Sequence, residues 1–157
     1  MTNIRIQAEV RADEVDDLID GIRERITDVR PAFRWAHQQL KRTFADNFTS
    51  QGLEVGGWAP LSAEYASWKL ARYPGAPTLV RSGRLFRSVS ELSDPLVNKI
   101  DKLSATFGTG VPYAQFHQTG TSKMPKREIV FLNQTFLNDL AEKMSNYVVE
   151  GDEGLFA

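Results

Sequence analysis

The sequence predicts an α+β fold: a small, mostly antiparallel sheet packed against a long N-terminal helical arm and a C-terminal helix. Three observations carry this. Apolar residues recur at every second position before residue 11 and at helical intervals after it. Helical spacing returns over 133–149. Between these ends lie short apolar runs parted by Gly- and Pro-rich turns, without the regular strand–helix alternation of a parallel sheet.

In chain order, Ile4, Ile6, Ala8 and Val10 alternate as a strand with one buried face. Val15, Leu18, Ile19, Ile22, Ile26 and Val29 then follow a helix. Asp13, Glu14, Asp16 and Asp17 crowd its start and Arg23, Arg25 and Arg30 its end, as the helix dipole favours; Gly21 is its soft spot. Pro31 marks a kink or the first residue of a new helix. Phe33, Ala36, Leu40, Phe44 and Phe48 form that second stripe, completing an arm over about 12–50. Gly52, Gly56 and Gly57 mark an irregular loop.

Ser62 is placed to cap a short helix carrying Tyr65, Trp68 and Leu70, and Pro74 and Pro77 fix a loop after it. Residues 79–92 read as a helical turn leading into a strand, and SDPLVNK (93–99) as a turn. Leu103, Ala105 and Phe107 alternate as a strand ending at Gly108-Thr109-Gly110. VPYAQFHQTG (111–120) suits a short helix, with Tyr113 and Phe116 as its buried face and Gly120 at a left-handed cap. TSKMPKR is a loop, and EIVFLN (128–133) a strand or a strand-to-helix junction. Phe136, Leu137, Leu140, Met144, Tyr147 and Val148 make the final amphipathic helix. One domain is expected over 1–150, with 151–157 a flexible tail.

Composition narrows function. At 157 residues the chain can bury a real core, and its net charge of −1 does not mark a nucleic-acid or anionic-membrane binder. With no cysteine, disulfides, thiolate catalysis and cysteine-ligated metals are excluded. No signal peptide or membrane-spanning run is read, so a soluble cytosolic protein is expected.

Catalytic motifs are absent: there is no HExxH, GxSxG, Walker A loop or GxGxxG. The Asp13–Asp20 cluster lacks the glycine and terminal glutamate of a calcium loop and reads as a solvated face. His37 beside an apolar stripe reads as a partly buried, hydrogen-bonded neighbour. His117 reads as an architectural residue, bonded to helix-end carbonyls and fixing a turn with Tyr113 and Gly120. Thus no catalytic, cofactor-binding or metal-binding residue is expected.

Two features point to binding. No acidic residue occurs between Glu64 and Glu91, whereas Lys69, Arg72, Arg81, Arg84 and Arg87 do. Such a run faces acidic protein or phosphate, or else pairs with the acidic N-terminal helix within the fold or in a neighbouring subunit. Trp58, Tyr65, Trp68, Tyr73 and Phe86 gather around the loops, as an interface or as a satellite cluster beneath a loop. Trp58, Trp68, Arg81, Arg84 and Arg87 are the interface candidates.

In order, W-x-P-L-S at 58–62, LVRSGRLFRSV at 79–89, FGTGVPYAQFHQTG at 107–120 and MPKRE at 124–128 precede the last helix. This order resembles the tailed-phage virion morphogenesis family, the Mu-like and P2-like tail-completion or minor-tail proteins, from about Phe44 to Tyr147. Ser82-Gly83-Arg84-Leu85 with Ser88, and Gly108-Thr109 through Pro112-Tyr113-Ala114 to His117-Gln118-Thr119-Gly120, are its most specific parts. The family's usual Pro-x-Arg-Pro-Phe motif reads Pro125-Lys126-Arg127-Glu128-Ile129 here. The resemblance implies a non-enzymatic α+β subunit of the head–tail junction, assembled in the bacterial cytoplasm and enabling head–tail joining. It implies a ring of copies, six to match a tail tube, with terminator, tail-tube or head-closure and connector proteins as partners and passing contact with DNA. The residues alone leave two other readings: a DNA-contacting packaging accessory or small nucleic-acid enzyme, and a small hydrolase using His117.

Overall fold

The computed structural model describes residues 12–91, 96–151 and 153–156, so the strand expected at 3–10 lies outside the described residues. Helix α1 spans Ala12–Ile26 and α2 spans Arg30–Thr49, with Pro31 in the first turn of α2. Pro31 therefore begins a new helix: its missing N–H is lost where no intrahelical bond is needed. Within the break, the Arg30 Nε donates to Asp28 Oδ1 at 2.8 Å. Arg25 reaches across to α6 (Gln134–Glu150), where its Nε donates to the Val148 carbonyl at 2.9 Å. A cation thereby meets the negative end of a helix, and α1 is fastened through its C-terminal part.

α2 is the spine. Its face of Ala32, Ala36, His37, Leu40, Phe44, Asn47 and Phe48 is buried, and Leu85, Val89, Val111, Ile129 and Phe136 close the core around it. His37 is buried and stacks on Phe107, with centroids 4.9 Å apart. The α1 stripe differs from the expectation of a packed arm. Val15, Leu18 and Ile19 are exposed, Leu18 by 52%, because α1 is held near its far end.

A 3-10 turn at Leu53–Val55 follows α2, entered at Gly52 with φ 83°. A Cβ on Gly52 would lie 2.3 Å from the Trp58 ring, so this loop closes only around glycine. α3 (Ala63–Arg72) starts as expected, with the Ser62 hydroxyl accepting from the Tyr65 N–H. α4 spans Arg84–Ser90.

Among the described residues the sheet is one antiparallel hairpin, β1 (Leu96–Ile100) on β2 (Ala105–Thr109), with Leu96 opposite Thr109 and Ile100 opposite Ala105. This corrects two readings. Residues 96–99, read as a turn, are strand, because β2 supplies a pairing partner that local turn chemistry does not reveal. Leu103, read as strand, sits in the connecting turn, closed by the Asp101 N–H donating to the Ser104 carbonyl, and is 64% exposed.

α5 spans Ala114–Thr119. The following 128–133 segment is neither strand nor strand-to-helix junction: it pairs with no described strand, although its side chains alternate in burial through Ile129. Side chains replace the missing ladder. The Glu128 carbonyl accepts from Trp58 Nε1 at 2.8 Å and from Asn47 Nδ2 at 3.0 Å. Gln118 Oε1 accepts the N–H groups of Ile129 and Val130 at 2.9 and 3.1 Å, and its Nε2 donates to the Val130 carbonyl at 2.7 Å. α6 is capped by the Asn133 side chain, which accepts from Phe136 N–H at 2.8 Å. Glu153–Phe156 form a 3-10 turn with the Phe156 ring edge-on to Tyr147. No described helix is long and apolar enough to cross a membrane.

Candidate functional site

A cleft of about 570 Å³ opens where α3, the 79–85 segment, α5 and the 121–127 loop meet. It joins the two segments that carry most of the family resemblance. Ser82, Gly83, Arg84 and Leu85 form one wall, and Tyr113, Phe116 and His117 form the other. The walls are locked together beneath the opening. Ser88 is fully buried, and its hydroxyl donates to the Leu85 carbonyl and lies 2.7 Å from the Thr109 hydroxyl. Thr109 Oγ1 also accepts from the Val111 N–H at 3.1 Å. These hydroxyls join α4 to the end of β2 and so set the distance between the walls.

The floor is apolar, with Leu61, Leu79, Val80 and Met124, while Lys69, Arg81, Arg84, Lys123 and Arg127 supply the charge. No described carboxylate lines the cleft. Arg127 is only 4% exposed, and its guanidinium donates to the carbonyls of Ala59 and Pro60, both at 2.8 Å. Buried Lys69 donates to the Pro77 carbonyl. Desolvation lowers the pKa of both cations, and neutral carbonyls offset that penalty only in part. Arg81, Arg84 and Lys123 stand exposed at the opening and pair with no carboxylate among the described residues. Pairing of Arg81 and Arg84 with the acidic helix of the same chain is therefore not made among these residues.

The Nδ1 atom of His117 is buried without a hydrogen-bond partner. Burial, then the nearby Arg127 charge, push its pKa below the usual histidine value. At neutral pH it is an uncharged ring, edge-on to Tyr113. The expected bond from this nitrogen to helix-end carbonyls is not made; the link across the turn is main-chain, with the Arg127 N–H donating to the His117 carbonyl at 2.7 Å. Chemically, the cleft suits an apolar group bearing or flanked by negative charge. Among the described residues no three metal-ligating side chains come together.

Tyr113 and Phe116 do not form a buried face. They are 40% and 47% exposed on the cleft wall, because a six-residue helix has room to bury little beyond Ala114, and Val111 fills the core instead. Gly120 has φ 75° but ψ 176°, an extended glycine conformation rather than a left-handed helical one. A Cβ there would lie 2.8 Å from the Lys126 nitrogen. Trp58 is half-buried inside the fold, edge-on to Phe48 at 5.2 Å. Trp68 lies on an exposed cluster with Tyr65 and Tyr73, with the Arg72 guanidinium 5.2 Å above its ring. Arg87 is outside the cleft lining, its guanidinium beside Gly83. Sequence reasoning missed Asn47 and the burial of Arg127, and gave Gln118 no role of its own. A polar residue three positions after Phe44 in an apolar stripe was the one visible sign of Asn47.

In comparison with known families, the model of the phage virion morphogenesis family matches residues 10–147. No curated protein and no solved structure matches.

Proposed function

The chain belongs to the phage virion morphogenesis family, with a structural role in building the particle, and within that role we propose that it is a tail-completion or neck subunit. It acts by docking rather than by chemistry, at the head-proximal end of the tail, where it makes the tail competent to join the filled head. The observation that carries this is the cleft itself: an apolar floor, cations at the opening, no described carboxylate, and walls locked by buried hydroxyls. Such a surface is preorganised for a partner. A ring of copies, six to match a tail tube, follows if the contact between copies is heterologous and closes. Terminator, tail-tube or connector proteins are the neighbours of such a ring.

Electron microscopy of virions carrying a labelled copy tests the placement. Label at the head–tail junction supports it, and label elsewhere or on no particle refutes it. Deleting the gene should leave unjoined heads and tails, whereas normal virions would overturn the reading. The exposed arginines also favour a second reading, contact with passing DNA. Salt-steep DNA binding, lost on replacing Arg81 and Arg84, would favour it.

A further inference from the structure

No described carboxylate lines the cleft, and the same chain carries an acidic surface of the opposite kind. From Asp13 to Asp20 helix α1 holds five acidic residues and no basic one until Arg23. The nine residues from Ala12 to Asp20 span about 13 Å at 1.5 Å per residue. Every side chain described from Asp13 to Asp20 is exposed, and Val15, Leu18 and Ile19 recur at the spacing of one helical face. Asp16 and Asp17 pair with no cation among the described residues. An amphipathic helix with an acidic flank fits an apolar groove with a basic opening, the helix-in-groove mode of recognition.

We propose that the first half of α1 from a second copy of this chain seats in the cleft, with Val15, Leu18 and Ile19 on the apolar floor and the acidic side chains against Arg81, Arg84 and Lys123. The two surfaces differ, so the contact is heterologous: each copy offers a helix to one neighbour and a cleft to the other. This rests on reading the cleft as a docking surface, and it names the occupant.

Charge reversal tests it with the intact chain. One variant carries Arg81→Glu and Arg84→Glu; the other carries Asp16→Lys and Asp17→Lys. All four positions are exposed, and circular dichroism and thermal melting check that both variants fold. Sedimentation velocity over a concentration series should show wild-type association that weakens with added salt. Each variant alone should associate at least ~10-fold more weakly, since like charges now face each other. Mixing the two should restore association in 1:1 stoichiometry, because each helix then meets a cleft of opposite sign, and a chain carrying all four reversals should associate with itself. A wild-type protein that stays monomeric at its highest soluble concentration overturns the proposal. So does a cleft variant that weakens association while the α1 variant leaves it unchanged, or failure of both the mixture and the fourfold variant to recover it. Those outcomes leave the head–tail placement standing, whereas label absent from the junction removes the placement and leaves the helix-to-cleft contact intact.

Discussion

Replacing Gln118 by alanine removes the side chain that stands in for a missing strand. Its amide makes three bonds to the backbone of Ile129 and Val130, at 2.9, 3.1 and 2.7 Å. At a net ~1 kcal/mol each, Gln118→Ala costs about 3 kcal/mol, nearer 2 where water reaches the vacated groups. For a chain of this length that lowers Tm by roughly 5–10 °C. Urea unfolding followed by tryptophan fluorescence reads the loss, and hydrogen exchange of the Ile129 and Val130 amides reads its location. Gln118→Glu separates the bonds: it keeps the acceptor and places a carboxylate against the Val130 carbonyl. Its deficit relative to wild type should shrink as pH falls, because the protonated acid can donate to that carbonyl. The folded state of this variant then binds more protons, so its relative stability rises toward acid. A Gln118→Ala protein within about 0.5 kcal/mol of wild type, with unchanged protection at both amides, would refute the reasoning.

The same segment and the two histidines can be tested in the same way. Gly120→Ala should cost about 2–3 kcal/mol in chemical denaturation, since it forces a side chain into a glycine-only conformation and against the Lys126 nitrogen. Asn47→Ala should cost about 2–3 kcal/mol through the lost bonds to the Glu128 and Ile129 carbonyls and the cavity left behind. Asn47→Asp should cost more, because it turns a carboxylate toward the two carbonyls. Burial lowers the pKa of both His37 and His117 below 6.5, so the unfolded chain takes up protons before the folded one does. Stability is therefore full above that value and falls as pH drops through the window below it. His117→Ala should lower Tm at about pH 7.5, by losing the contact with Tyr113, and the gap to wild type should narrow by about pH 5.5.

Local chemistry made parts of this fold readable. Ser62 before an apolar helical run acts on neighbouring residues and caps the helix where the sequence placed it, and of the two roles left open for Pro31, kink or helix start, the structure has the helix start. Pairing over distance was not readable. The 128–133 segment has the alternating burial of a strand, but its partners are side chains from Asn47, Trp58 and Gln118, up to 82 residues away. The turn reading of 93–99 followed Asp94 and Pro95, whereas β1 exists because β2 lies beside it. Periodicity in α1 marked an amphipathic helix without saying what covers its apolar face. The charge run from Lys69 to Arg87 was visible, yet its division between the buried Lys69, the exposed Arg81 and Arg84, and an Arg87 outside the cleft depends on tertiary packing.

The residues of the two specific motifs and the basic residues beside them divide by task. Ser88, Thr109, Gln118 and Gly120 spend their chemistry on backbone and on one another, holding the cleft walls and the 128–133 segment in place. Arg81, Arg84 and Lys123 make no ion pair among the described residues, so their removal costs the free subunit little. The two groups should therefore separate in experiment. Changes in the first lower Tm and lose assembly in proportion to the folded subunit lost. Changes in the second leave Tm near wild type and act on association alone. A motif whose arginines were needed for folding would show the two effects together, and the cleft would then be a by-product of packing rather than a surface kept open for a neighbour.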